Sequence, residues 1–384
     1  MNISTKYFYQ NYQRYFAQVA DDIKEITIKE ITELGAYNIQ EAYRGLHFHS
    51  SQEDLYKINY HSRFINRVLA PLIIFDCHSD KYLYKTARDI NWDDFLNEAQ
   101  TFAVFATTTN SNIKHSQYAA LRLKDAIVDY FRDKTNSRPS IDTREPDLWV
   151  NLYIDNNRAT ISIDTSGGSL HRRGYRRHGG DAPMIETLAA SIIEYSEWDG
   201  TKELYDPFCG SGTFLAEAYL YATQTPPSIL RQKFGFEKLP DYNPFAWSEI
   251  KEVGLKNIKP IPDGLISGSD ISTKVVKAAN YNCSFIDHND AITIEQKDIF
   301  EIESLNDKII ICNPPYGIRM GKELDLSLFY KNLGDFLKQK CTNSTAFIYF
   351  GEREFIKDIG LKPSWKRPLH NGALDGRLVK IELY

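Results

Sequence analysis

The chain has 384 residues, 42% hydrophobic and 25% charged, a composition that supports ordinary packed cores and argues against disorder. It carries no charged-then-apolar leader and no run near the roughly eighteen apolar residues of a membrane span, so a soluble, cytoplasmic protein of two or three domains is expected. A net charge of -5 speaks against a broadly basic nucleic-acid binder, and five single cysteines without a CxxC pair or ligand-spaced histidines exclude a disulfide framework and a structural zinc; no metal is expected.

The first half reads as mixed α+β. Residues 23–34 form a helical pattern closed by Gly35, a residue suited to a left-handed C-cap. Residues 102–106 make a short apolar strand, after which Ala119, Leu123, Ala126, Ile127 and Tyr130 mark one helical face. Leu148, Val150, Leu152 and Ile154 alternate with other residues, and Ile161 and Ile163 follow the turn at residues 155–158, which predicts a β-hairpin. From about residue 183 the pattern changes. Pro183 is placed to open a helix running to Glu197. Strand-like runs at residues 203–205, 265–267, 292–294, 309–312 and 346–350 then alternate with helical ones, which predicts βαβ units and a parallel sheet. Residues 225–262, rich in proline and aromatics, read as an insertion over the face of that sheet, and the tail from Leu378 to Tyr384 reads as part of a terminal antiparallel hairpin.

Three turns of this sheet carry chemistry. Asp206, Pro207, Phe208, Cys209, Gly210, Ser211, Gly212 and Thr213 follow its first strand and precede a helix. Gly210 and Gly212 allow a sharp turn that aims N–H groups at a ligand, while the third glycine of a dinucleotide site and the lysine of a P-loop are missing. An acid at the strand end suits a ligand amine better than a phosphate. Asp270, followed by Ile271, ends the next strand, where a carboxylate accepts ribose hydroxyls; a plain helix cap is the bland reading. Asp298, followed by Ile299, ends the third strand and suits an adenine amine or, equally, a cap. Asn313, Pro314, Pro315 and Tyr316 follow the buried fourth strand. Two prolines remove two N–H donors and leave carbonyls. An exocyclic base amine is a poor nucleophile, because its lone pair is delocalised into the ring. Held by the Asn313 side-chain oxygen and the Pro314 carbonyl, it turns towards a tetrahedral shape and becomes reactive towards a sulfonium methyl, with Tyr316 expected to stack on the base. Asn313 thus borders both the donor and the base.

Cys312 adjoins Asn313 and raises the idea of covalent attack on a pyrimidine, but strand alternation turns it away, so buried packing is expected; Cys209 reads as a small filler. Arg172, Arg173, Arg176 and Arg177, with His171 and His178, form a basic strip without an acid, read as a phosphate contact in spite of the overall charge. Such runs are otherwise plain solvated surface.

With these residues in place, the chain resembles the bacterial THUMP-domain methyltransferases of the large-subunit rRNA guanine-N2 type, the RlmL-like family, also described as N6-adenine-specific DNA methylases. The resemblance rests on residues 166–176, 182–190, 206–213, 268–270 and 313–317, with residues 138–142 and 146–152 resembling the end of a THUMP domain. It implies a ferredoxin-like piece at 1–50, a THUMP RNA-binding domain at 51–165 and a class I, Rossmann-like methyltransferase domain at 166–384. It further implies S-adenosylmethionine as cofactor and RNA, specifically large-subunit rRNA, as partner, in a monomer or weak dimer. Some relatives carry a second methyltransferase domain; none is expected before the end at Tyr384. The asparagine–proline turn does not separate guanine N2 from adenine N6, so an adenine-N6 DNA methyltransferase and a catalytically silent RNA-binding relative stay open.

Overall fold

A computed structural model describes residues 7–179, 184–316 and 325–384; the expected helix opener Pro183 and the residue after Tyr316 lie outside them. The chain divides into two compact units, Met1–Leu170 with Arg231–Glu252, and His171–Leu230 with Val253–Tyr384. Among the described residues no helix is long and apolar enough to cross a membrane.

The first unit holds strands β1 (Arg14–Gln18), β2 (Tyr37–Ala42), β3 (Gly45–His49), β4 (Arg67–Asp76), β5 (Thr101–Thr109), β6 (Ser140–Ile141), β7 (Leu148–Asp155) and β8 (Arg158–Asp164). They form one sheet in the order β2-β3-β1-β4-β8-β7-β5-β6. Its helices are α1 (Phe8–Tyr12), α2 (Lys24–Glu33), α3 (Gln52–His61), α4 (Asp80–Arg88) and α5 (Ser116–Thr135). The β7–β8 hairpin closes through Asn156 and Asn157, both at positive φ, the backbone that matches strand twist in a tight turn. On α5 the buried face ends on Phe131 rather than on Tyr130. The Tyr130 hydroxyl instead reaches outward and donates to Asn91 and Asp93.

The insertion differs from its expectation. Its stretch Arg231–Glu252 belongs to the first unit, where Phe236 stacks on Tyr56 at 4.4 Å and Trp247 meets Tyr60 edge-on at 5.2 Å. Four large rings burying one another outweigh proximity in sequence.

The second unit holds β9 (Leu204–Asp206), β10 (Ile266–Asp270), β11 (Ile292–Gln296), β12 (Ile309–Cys312), β13 (Thr345–Phe350), β14 (Trp365–Asn371) and β15 (Leu374–Glu382). Helices α6 (Glu186–Tyr195), α7 (Thr213–Ala222), α8 (Pro244–Lys256, most of it in the first unit), α9 (Thr273–Cys283) and α10 (Leu326–Lys340) intervene. The sheet order is β11-β10-β9-β12-β13-β15-β14, parallel from β9 to β13 and antiparallel at the terminal hairpin, as the alternation predicts. The order reverses between β9 and β12, and a ligand crevice belongs outside the carboxyl ends of the strands at such a point. The turns that begin at Asp206 and Asn313 sit there. Beneath them Ile310, Cys312, Tyr330, Leu333, Ile348 and Val379 form a common core.

Candidate active site

The β9 strand delivers Asp206 to the crevice floor, 1% exposed, where its carboxylate accepts the Phe208 N–H at 3.0 Å. Burial, opposed by that hydrogen bond and reinforced by Asp270, holds its carboxyl well above the usual range. Among the described residues no cation pairs with it. A buried acid without a cation fits a ligand that brings a positive charge.

Above it the glycine turn is left-handed twice, at Gly210 (φ 54°) and Gly212 (φ 83°). The positive φ at Gly212 favours glycine, and a Cβ there would also lie a tight 3.1 Å from the Cys283 sulfur. Asp270 accepts the Gly210 N–H at 3.2 Å and the Ser272 N–H at 2.9 Å; it ties the turn to β10 and remains half-exposed. Ile271 beside it is exposed. Asp298 caps a short helical turn by accepting the Phe300 N–H at 3.0 Å. Ile299 packs into the core at 3% exposed, and the neighbouring Phe300, 44% exposed, is the open apolar side chain there. Phe300 and Phe208 both meet Phe329 edge-on, at 6.0 and 5.8 Å. Pro207 is buried. Cys209 and Cys312 are buried, and burial pushes both thiols well up, which leaves Cys312 a packing residue.

Asn313 follows β12 half-buried, and its Oδ1 is shielded from solvent without a hydrogen-bond partner among the described residues. Leaving such an acceptor unmet costs about 1–3 kcal/mol, so the atom reads as kept for a donor that the described residues do not supply. The Pro314 ring is buried, and the Pro315 carbonyl accepts the Tyr330 hydroxyl at 3.2 Å, which anchors the turn on α10. Tyr316 departs from expectation. Its ring is 5% exposed and lies against Gly351, where a Cβ would fall 2.5 Å from ring carbons, so it forms wall rather than an open stacking platform.

The basic strip also differs. Arg173 is 2% exposed and lies 3.5 Å from Glu217, which also accepts the Tyr175 hydroxyl at 2.9 Å. Arg176 donates to the Met184 carbonyl at 2.7 Å and to Thr213 Oγ1 at 2.9 Å, and pairs with Glu186 at 3.3 Å. Both guanidiniums face inward, because acids distant in sequence, on α6 and α7, reach them; they are not phosphate contacts. Arg172 and Arg177 are exposed, with Arg177 over the Phe285 ring. Burial pushes the Glu186 carboxyl up to about 6, although Arg176 pulls it down, and its Oε2 is buried without a hydrogen-bond partner among the described residues.

One residue that sequence reading passes over organises the loop. Asn282, fully buried on α9, accepts the Arg177 and His178 N–H groups at 2.9 and 3.0 Å. It donates to the His178 carbonyl at 2.8 Å and the Ser211 carbonyl at 3.0 Å. The signal is an amide on the helical face Val276, Ala279, Cys283, which is otherwise buried and apolar. Among the described residues no group of three or more His, Cys, Asp or Glu side chains is placed to hold a metal ion.

The chain matches the model of the RMKL-like methyltransferase domain over residues 173–380, of the THUMP domain over 77–164 and of the RlmL ferredoxin-like domain over 14–69. A Synechocystis sp. protein, whose name gives it provisionally as an RNA methyltransferase, is 37% identical over 96% of this chain and 97% of its own length. The ribosomal RNA large subunit methyltransferase K/L of Aliivibrio salmonicida is 36% identical over 94% of this chain; the match spans 52% of that longer protein. A structure solved with S-adenosylhomocysteine bound, its protein also described provisionally as a methyltransferase, superposes with a TM-score of 0.83 at 25% identity, covering 97% of this chain and 98% of its own.

Proposed function

The chain belongs to the RMKL-like methyltransferase family, and from that premise we propose that it transfers a methyl group from S-adenosylmethionine to the exocyclic N2 of a guanine in large-subunit (23S) rRNA. The observation that carries the reading is the Oδ1 of Asn313, shielded and without a partner among the described residues, at the sheet's switch point that also bears the glycine turn. S-adenosylmethionine supplies an electrophilic methyl group on a positively charged sulfur. Asp206, Gly210, Gly212 and Asp270 would hold it, with Ile271, Phe300 and Asp298 as the further residues of the site. The cationless acid at Asp206 suits the donor's amine.

Asn313 Oδ1 accepts one N–H of the base amine and the Pro314 carbonyl accepts the other. The nitrogen is thereby pulled out of conjugation and its lone pair freed for attack. Tyr316, backed by Gly351, fixes the turn that presents both acceptors. The ferredoxin-like and THUMP domains support RNA as the substrate, and the K/L relatives support large-subunit rRNA.

The test is methyl incorporation into stripped large-subunit rRNA and into duplex DNA, followed by nucleoside digestion and mass spectrometry. Methylated guanosine from the rRNA is expected; incorporation into DNA alone overturns the reading. Asn313→Ala should lower transfer on the order of 100-fold or more, with S-adenosylhomocysteine affinity unchanged within a few-fold.

A further inference from the structure

The second unit carries a feature that the methyl-transfer chemistry does not use. An open groove of about 710 Å³ runs between the turn after β13 and the β14–β15 hairpin. Arg353, Lys357, Lys366 and Arg377 line it, against a single acid of the lining, Glu354. Asp375 neutralises part of this charge by pairing with Arg353 at 3.5 Å and with Arg377. Lys357 and Lys366 are exposed, and their side chains make no ion pair or hydrogen bond among the described residues. A concentration of unpaired cations is notable in a chain whose net charge is -5.

The groove's place in the sheet gives it meaning. Arg377 is in register with Phe350, the last residue of β13, and Cys312 at the end of β12 is in register with Ile348. Arg377 therefore stands at the same carboxyl edge as Asn313, two strands away, roughly 10 Å across the sheet at ordinary strand spacing. Lys366 and Pro368 come from β14, the next strand out. A strand of nucleic acid whose base reaches Asn313 has its neighbouring phosphates within reach of these cations.

We propose that this groove is a binding site for the phosphate backbone of RNA flanking the target nucleotide, with Lys357 and Lys366 as phosphate contacts; this rests on the RNA reading given above. Each contact releases condensed counterions, so it contributes about 0.7 to the slope of log affinity against log salt for single-stranded RNA. Two contacts give about 1.4, equivalent to a loss of about 25-fold in affinity at 0.1 M salt when both are removed.

The experiment measures binding of stripped large-subunit rRNA by wild type and by Lys357→Gln/Lys366→Gln across a salt series. S-adenosylhomocysteine affinity serves as the check on folding, Lys366→Gln alone should move the slope by half as much, and Lys338→Gln/Lys340→Gln, at the far end of α10, is the control. Loss of affinity of about 25-fold with a shallower slope in the groove variant, and no change in the control, supports the site. RNA affinity and slope equal to wild type overturn it, as does an equal loss in the control. If wild type methylates rRNA and the groove variant binds it normally, the groove assignment falls and the functional reading stands. If binding depends on the groove but no methyl group is transferred, the functional reading falls and the groove stands.

Discussion

Glu186 offers the sharpest test of how the loop is supported. It lies in the first turn of α6, almost fully buried, with one carboxylate oxygen 3.3 Å from Arg176 and the other without a hydrogen-bond partner among the described residues. Burial outweighs the attraction of Arg176, whose guanidinium is shared with Met184 and Thr213, and lifts the carboxyl from its ordinary 4.5 to about 6. That rise of about 1.5 corresponds to about 2 kcal/mol. The sign follows from proton linkage: the folded state binds this proton more tightly than the unfolded one, so the stabilisation is complete below pH about 4.5 and lost as pH rises through about 6. Replacing Glu186 with Gln removes the titration and leaves the shape. Melting of the second unit in wild type and in Glu186→Gln, compared from pH 4 to pH 7, cancels every other titrating group. Relative to the variant, wild type should lose about 2 kcal/mol across that range, roughly 4–8 °C for a unit of this size. A constant gap, or a wild type that gains on the variant as pH rises, would mean that Arg176 wins over burial and would refute the reasoning.

Three further outcomes test the surroundings of the site. Asn282→Ala leaves the Ser211 carbonyl buried and unmet, a cost of about 1–3 kcal/mol, and should weaken S-adenosylhomocysteine binding about tenfold by calorimetry; unchanged affinity would remove Asn282 from the loop's support. Gly351→Ala drives a methyl group into the Tyr316 ring and should lower kcat on the order of 100-fold through a displaced turn, with S-adenosylhomocysteine affinity intact in a parallel titration. Arg173→Ala strands Glu217 in the interior and should cost about 3–5 kcal/mol in unfolding. Arg173→Met with Glu217→Leu should recover most of that, while rRNA affinity stays at the wild-type value in both.

The parallel sheet was legible because short apolar runs alternate with helical ones through the second half of the chain. Asp206, Asp270 and Asn313 stand at strand ends in the order of the chain, so one glance at the apolar runs also located the crevice. Strands β1 to β4 were not legible, since β1 and β4 pair with segments far along the chain and β2, in a local hairpin with β3, has no buried residue to betray it. The arginine strip misled for a related reason. Seen alone, residues 172–177 are uncompensated charge; the acids that draw Arg173 and Arg176 inward come from α7 and α6, and nothing in the run reports them. The sequence pattern does not tell which of Ile299 and Phe300 is buried, because that follows from the short helical turn that Asp298 caps. Tyr316 needed knowledge of Gly351, thirty-five positions on, to be recognised as wall.

The loan of Arg231–Glu252 to the first unit constrains how the protein can be dissected. A fragment cut at residue 170 would carry Phe234, Phe236 and Trp247 away from Tyr56 and Tyr60, the rings that cover them. Three such side chains expose about 450–750 Å² of apolar surface, as much as or more than the largest patch on a typical monomer. The severed half would be sticky, and its partner half would be left with a hole lined by tyrosines. Useful pieces for biochemistry must therefore replace residues 231–252 with a short polar bridge instead of simply ending where one sheet stops.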